Sequence, residues 1–148
     1  MLKKTKVSIK NVKLGKNVTI IEPVNLYNCE IGDNSFIGPF VEIQKNAKIG
    51  KNCKIQSHSF ICENVKIGNN CFVGHGVNFI NDKFLDNKIL SNSKKFLKTH
   101  IGNNVLIGSN STILPVRIEN NVTIGAGSVV TKNCNKNKIY FGNPAKKK

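Results

Sequence analysis

From Ile31 to Phe79 an aliphatic or aromatic residue returns every six positions: Ile31, Ile37, Ile43, Ile49, Ile55, Ile61, Ile67, Val73 and Phe79. Four places after each of the first eight comes a small or β-branched residue: Ser35, Val41, Ala47, Cys53, Ser59, Val65, Cys71 and Val77. That period suits neither an amphipathic helix nor an alternating hairpin strand. It suits a chain that lays down one short strand and one corner per hexad, with anchor and small residue turned inward. Three such sides close a triangular coil, and coils stack at strand spacing, roughly 4.8 Å. Repeats of this kind read as a parallel β-helix, an all-β fold.

Leu14, Ile20 and Leu26 supply anchors for a coil ahead of Ile31. Ile101, Ile107 and Ile113, then Ile118, Ile124 and Val130, resume the pattern further on, giving an expected stack of about six coils. Residues 80–100 carry no hexads and are read as a loop excursion; loops of that length in compact domains are usually functional. Residues 132–148 look too polar to extend the core and are read as a C-terminal cap. The 148 residues are expected to form one domain, 1–148.

The formal charge of +15 raises nucleic acid as a partner. The cations are nearly all lysines spread over the corners, Arg117 being the one arginine, and no aromatic residues interleave with them. That spread argues for a solvated surface and an anionic small ligand, with no nucleic-acid partner. None of the five cysteines is spaced as CxxC. Cys29, Cys53 and Cys71 fall on inward positions and are expected to be reduced core residues. No apolar run is long enough for a membrane span, and a cytoplasmic protein is expected.

Stacking turns the period into a map of one edge. After Ile37, Ile55, Val73, Ile107 and Ile124 come Gly38-Pro39-Phe40, Gln56-Ser57-His58, Gly74-His75-Gly76, Gly108-Ser109-Asn110 and Gly125-Ala126-Gly127. Above His75 the edge is almost bare of side chains, so an extended ligand with amides of its own can lie against the backbone. His75 at the foot of that strip can take a proton from an attacking amine. His58 is placed to orient His75 or to touch a substrate. Asn78, Asn81 and Asp82, around the start of the excursion, can bind a substrate amine or hydroxyl. His58, His75 and His100 are the only histidines, and no metal is expected.

These residues resemble a known family. The hexads, the long loop, the run IGSNSTILPVRIENNVTIGAGSVVTKN and the closing GNPA are similar to the left-handed β-helix acyltransferases of the hexapeptide-repeat superfamily, from Leu14 to Ala145. GHGVNFIND, running into the excursion, is similar to N-acetyltransferases acting on nucleotide-linked deoxyamino sugars. The left hand of the helix rests on this resemblance. It also implies a homotrimer with sites between subunits and a loop reaching across. Acetyl-CoA would be the cosubstrate, its pantetheine arm along Gly108, Ser109, Asn110, Gly125, Ala126 and Gly127. Its nucleotide would meet Lys132, Lys136 and Lys138. The sugar amine would meet Asn81, and His75 sits where some relatives place a base. Lys83-Phe84-Leu85 stands where relatives often carry Pro-Arg. The expected activity is acetyl transfer from acetyl-CoA to that amine by direct attack. O-acetylation of a sugar or serine hydroxyl, a non-catalytic scaffold and a zinc-dependent carbonic-anhydrase-like protein are the alternatives.

Overall fold

In the computed structural model, residues 1–84 and 96–148 are described, and they form a solenoid of short parallel strands with no helix among them. The middle of the excursion, 85–95, lies outside the described residues. Most anchors end a strand of two or three residues, as in Phe36–Ile37, Lys48–Ile49 and Lys54–Ile55. From Leu26 onward the anchor is buried and the residue before it is more exposed, because successive side chains of a strand point to opposite faces.

The strands stack in three sheets, one per side of the triangle. The first side runs from Lys13–Leu14 through Glu30–Ile31, Lys48–Ile49, Val65–Ile67 and Thr99–Ile101 to Arg117–Ile118. The second carries the register Ile37, Ile55, Val73, Ile107, Ile124, Tyr140. The third runs from Ile9–Lys10 to Val129–Val130. Six complete coils are thus extended by Ile9–Lys10 below and by Ile139–Phe141 above, to about seven turns. The arrangement is consistent with a left-handed β-helix. Its core is a column of Ile, Val, Cys and Ser, with fully buried Phe79 as the anchor just before the excursion.

Sequence reading treated residues 132–148 as a cap too polar to add to the core, and here the structure differs. Cys134 is buried and bridges to Ile118, and Tyr140 is buried beside Ile124. Only then does Lys146–Lys147 fold back antiparallel on Ile139–Phe141.

The corners explain the asparagines. The third residue after most anchors has positive φ, as at Asn34 (57°), Asn52 (54°) and Asn70 (57°). That conformation costs an ordinary L-residue roughly 1–2 kcal/mol, and Asn relieves part of the cost by bonding locally. Between the first and second sides Asn17, Asn34, Asn52, Asn70, Asn104, Asn121 and Asn137 stack, each amide donating to the next carbonyl oxygen at 2.8–3.3 Å. One residue earlier, Asp33, Asn69, Asn103 and Asn120 accept from a backbone N–H one coil below. This corner satisfies most of its own polar groups.

All five cysteines are free and buried. Burial pushes the Cys29 and Cys134 thiols up to about 11 and the Cys62 thiol up to about 12. Among the described residues no helix is long and apolar enough to cross a membrane.

Candidate functional site

The corner between the second and third sides is built differently. From the bottom coil upward its left-handed position holds Phe40, His58, Gly76, Asn110 and Gly127. Each donates its backbone N–H to the carbonyl of the middle corner residue one coil below: His58 to Pro39, Gly76 to Ser57, Asn110 to His75 and Gly127 to Ser109, at 2.8–3.1 Å. The middle column is therefore Pro39, Ser57, His75, Ser109, Ala126. His75 lies directly over Ser57, and Ser57 Oγ sits 2.8 Å from His75 Nδ1. The His75 backbone N–H donates to Ser109 Oγ at 3.1 Å, so the residue is held from below and above.

Ser57 is thus the side chain in contact with the His75 ring, whereas the sequence expectation was that His58 orients His75 or touches a substrate. His58 stacks instead on Phe40, with ring centroids 4.8 Å apart. The signal for Ser57 was present, since it stands one coil-length before His75. If Nδ1–H donates to Ser57 Oγ, then Nε2 keeps a lone pair on an exposed ring and can accept a proton.

Above His75 the expected bare strip is present. At the first corner a side-chain oxygen from the coil above takes up the middle N–H of Lys16, Lys51, Asn69 and Asn103, and Ser109 does so for His75. Over Ser109 comes Ala126, which has no such oxygen. Among the described residues the N–H groups of Ser109 and Ala126 have no hydrogen-bond partner. A Cβ at Gly108 would strike the Ala126 backbone nitrogen, so the coils close up here only because Gly108 has none. At Gly127 (φ 68°) nothing approaches, and the strip opens to solvent.

Asn81 and Asp82 lie at the next corner. Asn78 opens the third side and donates through its amide to Gly76 O at 3.0 Å, which ties it to the His75 corner. From Gly76 to Asn81 is one side of the triangle, roughly 15 Å of extended chain. Within one chain His75 and Asn81 therefore do not meet. Asn81 O accepts from Leu97 N–H at 3.0 Å, closing the base of the excursion, and Asp82 Oδ1 accepts from Phe84 N–H at 2.7 Å. The Asp82 carboxylate thus organises its own turn. One coil below Asn81 is Glu63, whose Oε2 is buried without a hydrogen-bond partner and lies 3.9 Å from Lys45 Nζ. Sequence reading missed this buried carboxylate oxygen, which Lys45 faces at the loop base.

Lys132, Lys136 and Lys138 are not brought to the strip of their own chain. Lys132 follows the third side, Lys136 lines a cavity with His100 and Arg117, and Lys138 leads into the second side. Lys146 and Lys147, paired with Phe141 and Tyr140, are the cations above Gly125–Gly127. Among the described residues no three His, Cys, Asp or Glu side chains gather as metal ligands.

Comparison with known proteins gives concordant matches. The bacterial transferase hexapeptide model (six repeats) matches residues 28–62 and 46–81, and the hexapeptide repeat of succinyl-transferase matches 98–132. No curated protein matches at a significant level. Among solved structures, a hexapeptide transferase family protein from Anaplasma phagocytophilum superposes with a TM-score of 0.75 at 19% identity, over 93% of this chain and 77% of that one. A point mutant of AntD, an N-acyltransferase from Bacillus cereus in complex with dTDP and coenzyme A, gives 0.74 at 25%, over 92% and 82%. A maltose O-acetyltransferase from Clostridium difficile gives 0.57 at 23%, over 95% and 69%.

Proposed function

Since the chain belongs to the hexapeptide-repeat transferases, an acyltransferase family, we propose that it moves an acetyl group from acetyl-CoA to the amino group of a nucleotide-linked deoxyamino sugar. The observation that carries this reading is the strip itself: two unpaired backbone N–H groups, Ser109 and Ala126, rising from a histidine held by Ser57. A pantetheine arm carries two amides and lies flat, which matches donors spaced one coil apart on a surface without side chains. AntD, bound to coenzyme A and a nucleoside diphosphate, supports the choice of an amine on a nucleotide-linked acceptor.

In the proposed step the neutral amine attacks the thioester carbonyl. The nitrogen–carbon bond forms, the carbonyl electrons move to oxygen beside a strip N–H, and the tetrahedral adduct expels the coenzyme A thiolate. His75 Nε2 accepts the ammonium proton and can return it to the departing sulfur. No acyl-enzyme is formed, because the thiols are buried and Cys62 is held protonated. The enzyme acts as a homotrimer, in which Asn81 of one subunit faces His75 of the next.

O-acetylation is the second reading, favoured by the anchored His75, since an alcohol depends more on a base than a free amine does. A panel of nucleotide-linked amino sugars and free sugars, with thiol release as readout, separates the two. Turnover confined to hydroxyl acceptors would overturn the amine assignment.

A further inference from the structure

We infer that Phe40 and His58 form a stacking shelf for the nucleobase of the acceptor, beside a groove on the N-terminal coils. The inference rests on the reading of the acceptor as a nucleotide-linked sugar. The positions that hold these two rings are where this fold otherwise places Asn or Gly. Phe40 (φ 61°) and His58 (φ 62°) are both left-handed, and Phe is a residue that this conformation penalises and that can bond nothing locally to offset it. Phe40 is also 56% exposed, so it does not recover the cost by burial. Strained and half in water, the side chain is retained against two separate penalties. A ligand that covers it removes the second.

The surroundings suit a base. The two rings are stacked, 29° from parallel. Next to them is a groove of about 270 Å3 walled by Val7, Pro23, Val24, Phe40 and Val41. Its polar members are Asn25 and Glu42. Both Glu42 oxygens are engaged, one by the Asn25 amide at 3.1 Å and the other by Gln44 at 2.7 Å. Asn25 keeps a carbonyl oxygen able to accept from a base edge. A wall that is mostly apolar, with one aromatic face and one amide acceptor, matches a flat heterocycle better than a sugar, whose many hydroxyls would find few partners here. The shelf also lies on the correct side of the chemistry. It occupies the corner of the coils just below His75, whereas the strip for acetyl-CoA rises above it. A nucleotide seated there would direct its sugar along the corner toward His75.

The experiment is calorimetric titration of the full chain with dTMP, UMP and GMP against ribose 5-phosphate, which has no base. Stacking of one base on an aromatic side chain predicts that at least one nucleotide binds about 5- to 150-fold tighter than ribose 5-phosphate. Phe40→Asn, which installs the residue the other corners use, should abolish that difference, with melting temperature unchanged or raised. Phe40→Tyr should keep it. Nucleotides that bind no tighter than ribose 5-phosphate would overturn the shelf, as would undiminished preference in Phe40→Asn. A Phe40→Asn chain that loses its oligomeric state would instead assign the ring to a contact between copies. Titration of the wild-type chain with acetyl-CoA tests the transfer reading separately: its failure alongside a retained base preference would sink that reading and leave the shelf.

Discussion

A histidine on a solvent-facing corner turns freely unless something holds its ring, and Ser57 holds that of His75 at Nδ1. The contact links sequence to chemistry through simple arithmetic, because residues one coil apart stack. General-base removal typically costs about 10²–10⁴ in rate, so His75→Ala should lose at least a hundredfold in turnover while still binding acetyl-CoA. Ser57→Ala should lose less, and in kcat rather than in the KM for the acceptor, since the base remains but its tautomer is no longer chosen. Equal KM and kcat in Ser57→Ala would show that the contact only decorates the corner. The thiols make an independent check on mechanism. Cys62 is 2% exposed and its thiol is pushed up to about 12. With all five thiols buried, iodoacetamide at neutral pH should leave the native enzyme unlabelled and fully active; rapid inactivation would revive an acyl-enzyme.

At the scale of the elements, the anchors were legible because an inward-facing aliphatic every six residues has no other structural use. The asparagines were visible only as composition. Their role appears once stacking places Asn70 under Asn104, across the excursion, with the amide ladder continuing at 3.2 Å. The strand around Tyr140 was missed because it follows Ile124 by sixteen residues, not by a whole coil. The strip was legible from its small residues, and the free Ser109 N–H follows from Ala126 lacking an oxygen. Ala126→Phe should abolish acetyl-CoA binding in a calorimeter without shifting the melting temperature, as its side chain faces solvent. The first side predicts a pH effect. Burial, with Arg117 and Lys66 on the flanking strands, holds the His100 imidazole below its usual range. A depressed histidine binds its proton more weakly folded than unfolded, so stability falls as pH drops below about 6.5 and levels off below the folded value. Glu30, hydrogen-bonded by Lys48, and Asp33, hydrogen-bonded by Lys51, are both held below their usual range, so they add a further loss only at lower pH. Melting curves of His100→Gln should lose the upper step and keep the lower one.

For the whole molecule, the separation of His75 from Asn81 by one full side is the strongest reason to expect an assembly. Asn81 stands at the base of the excursion, above the under-satisfied Glu63 carboxylate, and has the polar groups to hold an ammonium. In the proposed mechanism His75 and the strip supply the base and the thioester site. On that mechanism neither corner is sufficient alone, and a ring of identical chains would bring one corner of each subunit to the other corner of its neighbour. Sequence reading could name both residues but could not separate them, because six positions along a chain look close until the strand between them is drawn straight. The test is complementation. His75→Ala and Asn81→Ala chains, each impaired alone, are unfolded together and refolded as mixed oligomers. In an equal mixture about one site in four takes His75 from one chain and Asn81 from the next, both intact. The mixture should therefore recover about a quarter of the wild-type kcat/KM at low acceptor concentration, while the same chains refolded apart and then mixed recover none. If the two residues served a site within one chain, every site would carry one defect or the other, and mixing would restore nothing.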